Sequence, residues 1–183
     1  MKQVLIILMS LVFIISISAQ TRQYALVVHG GAGVMDQKSM TTEQQQEYIQ
    51  ILNRVLSVGD SILANGGTSM DAVEKTIVIM ENSPLFNAGK GAVFTHDGLV
   101  ELDASVMDGK LLKAGAIAAV RDIKNPIRVA RAVMEKSEHV MLNGLGASQF
   151  AKDQGFQPVD NSYFYTEKRH KQLEELLNKE RKA

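Results

Sequence analysis

The residues best suited to chemistry begin at His29. His29-Gly30-Gly31-Ala32-Gly33 follows directly on the apolar run Tyr24–Val28. Glycines after a buried strand let backbone N–H groups approach a ligand or an oxyanion. A second feature is Asn87-Ala88-Gly89-Lys90-Gly91. It looks like a phosphate loop, but no glycine precedes it at Walker spacing and no Ser or Thr follows Lys90. Its backbone carbonyls could instead hold a hard cation. Among the carboxylates, Asp97 and Asp108 each precede a glycine and read as turn formers. Asp103, within Leu102-Asp103-Ala104-Ser105-Val106, is expected on a strand in a buried, hydrogen-bonded structural role. His29, His96, His139 and His170 lack the spacing of a zinc site. Ser105 and Ser148 carry no sequence sign of activation as nucleophiles.

Composition narrows the classes. The 183 residues carry 20 Lys+Arg and 20 Asp+Glu, so the formal net charge is zero and a strongly basic nucleic-acid binder is excluded on bulk charge. With aromatics at 5% and no Trp, a base-stacking platform is not expected either. The absence of cysteine removes disulfides, thiolate metal sites and cysteine nucleophiles together. An HGG turn contributes to the oxyanion hole of lipases and esterases, but that reading requires G-x-S-x-G. Here the nearest candidate, Gly146-Ala147-Ser148-Gln149-Phe150, lacks the last glycine.

Residues 1–19 have the layout of a secretory signal peptide: Lys2, an apolar run from Val4 to Ile15, then small residues up to Ala19. Cleavage after Ala19, export to periplasm or medium, and no membrane association after cleavage are the expectations. Residues 20–166 read as the main domain and 167–183 as a charged helical linker or tail. Tyr24–Val28 is expected as a buried strand. A helix capped by Thr41 or Thr42 should run to Asn65-Gly66-Gly67, and a second should start at Thr68 with Asp71 as its capping partner. Asn82–Gly91 reads as a loop. Strands are expected at about 92–95, 99–106 and 111–120, with turns at Asp97-Gly98 and Asp108-Gly109. The small residues Ala114–Val120 predict a layer packed very closely on that strand. Helices should follow from Asn125-Pro126 to about Lys136 and from about Leu145 to Gly155, with 156–166 an irregular surface stretch. Antiparallel hairpins among helices predict an α/β chain of the α+β kind, not a Rossmann order.

The blocks ALVVHGGAG, NGGTSMDAVEKTIVIMENSPLFNAGKGAVFTHDGLVELDASVMDG, LKAGAIAAV and NPIRVARAVME occur in order from about Tyr24 to Phe156. Together they resemble plant-type L-asparaginases, also called isoaspartyl or β-aspartyl peptidases. The resemblance implies an N-terminal-nucleophile hydrolase with an αββα sandwich, mixed or antiparallel sheets being flanked by helices. It implies L-asparagine and β-aspartyl dipeptides as substrates. It also implies one precursor that cuts itself autocatalytically into α and β chains, which assemble as an (αβ)2 dimer. In such enzymes a threonine freed at the β-chain N-terminus is the nucleophile and its own α-amine the general base. These 183 residues contain no G-T-V-G-A-V-A block. The resemblance therefore places the chain as an α subunit or truncated precursor. It should be inactive alone, with no catalytic residue of its own and with the β subunit as partner. By the same resemblance, His29, Gly30, Gly31, Ala32, Gly33 and Asn87 lie beside the active centre. The backbone carbonyls of Met80, Glu81, Ser83, Phe86, Ala88 and Lys90 would hold a structural sodium ion, and no organic cofactor is implied. Two other readings are a glycosylasparaginase-like amidohydrolase and a non-catalytic fragment acting as a binding or structural protein.

Overall fold

The computed structural model describes residues 23–31 and 40–182. The signal-peptide reading therefore lies outside the described residues, as do Ala32 and Gly33. Two helices open the fold, α1 (Thr42–Ala64) and α2 (Ser69–Glu81). Thr41 caps α1 in a full capping box: its side chain accepts from the Gln44 N–H, and Gln44 Oε1 accepts from the Thr41 N–H. Such a cap contributes about 1 kcal/mol. Gly66, at φ 81°, turns the chain out of α1. Thr68 then accepts from the Asp71 N–H, while its hydroxyl donates to the Asp71 carboxylate.

A three-stranded sheet follows in the order β1 (Leu102–Asp108), β2 (Lys113–Val120), β3 (Met141–Asn143). The first pair is antiparallel and the second parallel. Helices α3 (Pro126–Lys136) and α4 (Gly144–Asp153) cover one face of the sheet, and α5 (Glu167–Glu180) closes the described chain. Short 3-10 turns lie at Gly89–Gly91 and Asn161–Phe164. The result is an α+β chain, as expected.

Leu102, Val106, Ile117 and Val120 point from the sheet into cores shared with Val129, Val133, Ala130 and Met134 of α3. Gly115 is what lets α3 come so near. A Cβ there would collide with the Ala130 carbonyl and would meet the Met134 Cβ at 2.7 Å. The close layer predicted from the small residues of β2 is therefore α3. The opposite face carries Asp103, Ser105 and Met107 with Ala114, Ala116 and Ala118, and Met107 is 61% exposed.

Several expectations need correction. Tyr24–Val28 is not a paired strand and is not buried. Its side chains do alternate, with Val27 89% exposed, but no ladder partner lies beside it among the described residues. A strand needs that partner as much as it needs alternation. The strand expected at 92–95 shrinks to a single bridge, Phe94 to Val100. Asp103 is hydrogen-bonded as expected, accepting from the Ala119 N–H at 2.8 Å, yet it is exposed. That bond spans the irregularity between Leu102 and Ala104, where Ala119 takes φ 53°. The 156–166 stretch is not merely surface, because Phe164 is fully buried in the main core. The short parallel strand β3 had no counterpart in the sequence reading.

Candidate active-site region and metal loop

The segment before His29 is laid along the helix pair by its alternate side chains. Tyr24 Oη donates to Asp60 Oδ1 of α1 at 2.6 Å. Leu26 lies over Gly59, where a Cβ would come within 2.6 Å of Leu26 Cδ2 and 2.9 Å of Thr76 Cγ2. Val28 joins the cluster built on Val55, Met80 and Phe86. Thus the neighbours of His29 and of Asn87, namely Val28 and Phe86, belong to one apolar cluster. His29 is exposed, and its Nδ1 accepts from the Gly31 N–H at 3.1 Å, with Gly31 at φ 115°. Gly30, between them, is half-buried. Asn87 is exposed, and its Oδ1 accepts from the Val93 N–H at 2.9 Å, which ties the loop to the start of the next segment.

The loop Met80–Lys90 coils tightly on itself. Ser83 N–H donates to the Met80 carbonyl at 3.0 Å and Gly91 N–H to the Ala88 carbonyl at 3.1 Å. Gly89, at φ 49°, sits against the Glu81 carbonyl, and Gly91 sits against the carbonyls of Pro84 and Phe86. Side chains from elsewhere claim two carbonyls outside the expected sodium set: Tyr48 Oη donates to Leu85 O at 2.8 Å and Arg169 Nε to Gly91 O at 2.7 Å. Among the described residues no backbone N–H donates to the carbonyls of Glu81, Ser83 or Phe86. Oxygen donors left without N–H partners, in a coil that admits no Cβ at two glycines, fit a hard cation held by carbonyls.

Sequence reasoning named Glu81 for its carbonyl and missed its side chain. That carboxylate is buried, 3% exposed, at the joint between α2 and α3. Asn125 gives α3 no side-chain cap, and Pro126 has no N–H to offer. Glu81 caps the helix from a distance instead: Oε1 accepts from Ile127 N–H at 3.0 Å and Oε2 from Asn125 Nδ2 at 3.1 Å. Burial pushes its pKa up to about 7, while the bonds from Ile127 and Asn125 pull the other way. The sequence carries no signal of this, because Asn125-Pro126 reads as an ordinary cap and first turn, whereas the structure gives Asn125 no capping bond. Arg169 and Tyr48, the anchors of the loop, carry no signal either.

Nearby, Arg131 of α3 bonds Asp71 and Glu74 of α2 and Glu135 of its own helix, at 2.7–2.9 Å. The hydrogen bond that Arg131 Nε donates to Glu135, more than any other contact, holds its guanidinium firmly protonated. This network joins α2 to α3 around the same joint.

The family model described as Asparaginase matches residues 22–183. The chain belongs to the asparaginase family. It is 45% identical over 148 residues to the isoaspartyl peptidase of Escherichia coli (strain K12), covering 81% of this chain and 46% of that protein. It is 46% identical over 155 residues to the plant-type L-asparaginase of Pyrococcus furiosus, covering 85% of this chain and 48% of that one. The isoaspartyl peptidase/L-asparaginase of Macaca fascicularis is 45% identical over 149 residues, 81% of this asparaginase-family chain and 47% of the relative. The chain spans about half the length of the curated relatives it matches.

Proposed function

We propose that this chain is the α-subunit part of an isoaspartyl peptidase/L-asparaginase. In this reading it supports hydrolysis of β-aspartyl amide bonds, in L-asparagine and β-aspartyl dipeptides, by a threonine nucleophile in a second part released by self-cleavage. The observation that carries the reading is the open face of the sheet. One face is packed under α3 and α4, while the other presents small alanines, Ser105 and an exposed Met107. Such a face suits a second sheet stacked about 10 Å away, completing an αββα sandwich. The names and lengths of the relatives support the same reading.

In the assembled enzyme the His29–Gly33 segment and Asn87 line the active centre. Asn87 Oδ1 is occupied by Val93 N–H, which leaves the Nδ2 hydrogens as donors beside the reacting carbonyl. The threonine hydroxyl attacks the side-chain carbonyl of the substrate and the threonine amine takes its proton. An ester forms, amine or ammonia leaves, and water then releases aspartate. Residues 1–19 direct export, residues 167–183 form the linker toward the cleavage point, and the assembly is an (αβ)2 dimer.

The test is to extend the reading frame past codon 183 and express the continuous product beside residues 1–183 alone. The extended product should split at a Gly-Thr bond and release aspartate from L-asparagine and a β-aspartyl dipeptide. The 183-residue chain should release none. Hydrolysis by the short chain alone, or none by a cleaved extended product, would overturn the reading.

The carbonyls of Met80, Glu81, Ser83, Phe86, Ala88 and Lys90 would hold a sodium ion, and its part is structural. A ligand at a hundredfold excess over its Kd stabilises by about 2.7 kcal/mol. Exchanging sodium for choline at constant ionic strength should therefore lower the Tm by several degrees, reversibly. An unchanged Tm in choline would remove the sodium assignment.

A further inference from the structure

The geometry points to a second ligand site, remote in sequence from the His29 and Asn87 segments: a cavity between α3 and α4 that binds a small anion, carboxylate or phosphate. Its volume is about 170 Å³, well below that of a drug-sized site. The walls are built by local structure. Gly155, at φ 86°, ends α4 and turns the chain back. Phe156 N–H then donates to Ala151 O at 3.0 Å and Val159 N–H to Asp122 O at 2.9 Å. Those two bonds set the 156–158 strip across the start of α3 and close the cavity.

Charge decides what enters. Lys124, Arg128 and Lys152 line the cavity against one carboxylate, Asp122, so three positive charges less one negative leave an excess of two. This is a local excess in a chain of zero formal net charge. Asp122 is already committed: Oδ1 accepts from Ser148 Oγ at 2.6 Å and Oδ2 lies 4.0 Å from Lys152 Nζ. The less committed cations are Lys124 and Arg128. Lys124 Nζ rests over the Tyr163 ring, 5.3 Å from its centroid. Arg128 Nε is buried and makes no hydrogen bond among the described residues, being paired only loosely with Glu74 Oε1 at 3.5 Å. Glu74 is drawn away by Arg131, which holds its other oxygen at 2.9 Å. The helix terminus itself adds little. Ile127 N–H is taken by Glu81 and Arg128 N–H by the Asn125 carbonyl, so the attraction comes from side chains. A guanidinium and an ammonium on flexible side chains lining one pocket suit a compact anion, held through charge-assisted hydrogen bonds. The apolar walls, Ile123, Ala151 and Phe156, admit a short carbon chain behind the charged group.

The site does not depend on the catalytic reading. The experiment is calorimetric titration of the full chain with potassium phosphate and with potassium succinate, at fixed sodium and fixed ionic strength, against potassium chloride. Saturable one-to-one binding of either anion is expected. Succinate alone identifies a carboxylate site, phosphate alone a phosphate site, and both a general small-anion site. Arg128→Gln and Lys124→Gln should each weaken binding about tenfold or more, which is about 1.4 kcal/mol. Lys179→Gln, at the far end of α5, should leave it unchanged. Lys124 is exposed, so its variant keeps the test valid if the Arg128 variant does not fold. No saturable binding beyond chloride, or binding retained in both pocket variants, would overturn the inference.

Discussion

Gly115→Val should collapse the α3–sheet interface, costing more than about 3 kcal/mol. Small-to-large changes are tolerated where a flexible side chain can swing away. Here the obstruction is backbone: the Ala130 carbonyl and the Met134 amide nitrogen of α3, with the Met134 Cβ behind them. Moving them means moving the whole helix, and α3 cannot move freely. Ile127, Ala130 and Met134 are buried against Val106 and Met70, while Val129 and Val133 are buried against Ile117 and Val120. Even Gly115→Ala should register clearly. Urea denaturation of the full chain reads both variants. A Gly115→Val protein within 1 kcal/mol of the parent, by about the usual size of a tolerated surface change, would refute the close-layer account.

The second large effect is a pH dependence that Glu81 alone imposes. In the unfolded chain this carboxyl titrates at its ordinary value of 4.5, and in the fold it titrates at about 7. Below pH 4.5 it is protonated in both states, and the native state keeps its full advantage. As pH rises toward 7 the unfolded chain releases the proton first, so stability falls, and above 7 the loss is complete. The span corresponds to on the order of 3 kcal/mol. Glu81→Gln keeps an acceptor for Ile127 N–H and has no charge to desolvate. The parent should be markedly less stable at pH 8 than at pH 5, and the variant should lose most of that difference. Equal pH dependence in the two proteins would show that the carboxylate is not held in the dry joint between α2 and α3.

What could be read from the sequence was whatever is encoded locally. Thr41, Thr68 and Asn65-Gly66-Gly67 mark helix ends because caps and glycine stops act over three or four residues. The tight layer over β2 was legible because a run of Gly and Ala on a strand has no other use than close approach. Three features escaped because their partners are distant. β3 is three residues long and exists through its parallel pairing with Ala116, Ile117 and Ala118. Phe164 stands between Tyr163 and Tyr165 in an irregular stretch, without the periodicity that would single it out as the buried ring. Glu81 looks like an ordinary last residue of a helix until Ile127, 46 residues later, is placed against it. The opposite error occurs at Tyr24–Val28, where a compact apolar run reads as a buried strand but has no partner strand among the described residues and is largely exposed. For the candidate site, the pattern indicated the glycine turn and the carbonyl loop. The side chains that fasten them, Tyr48 and Arg169, carry no local mark.

The hydrogen bond within the glycine turn also settles where a proton lies. Gly31 N–H can donate to His29 Nδ1 only if that nitrogen keeps its lone pair. The neutral ring is therefore the Nε2–H tautomer, with its single hydrogen on the nitrogen that the turn leaves free. In this conformation His29 offers a donor and has no basic nitrogen to spare. The Nε2–H can orient or polarise a carbonyl oxygen. The backbone shape at Gly31 and the chemical character of the imidazole are thus set by the same bond.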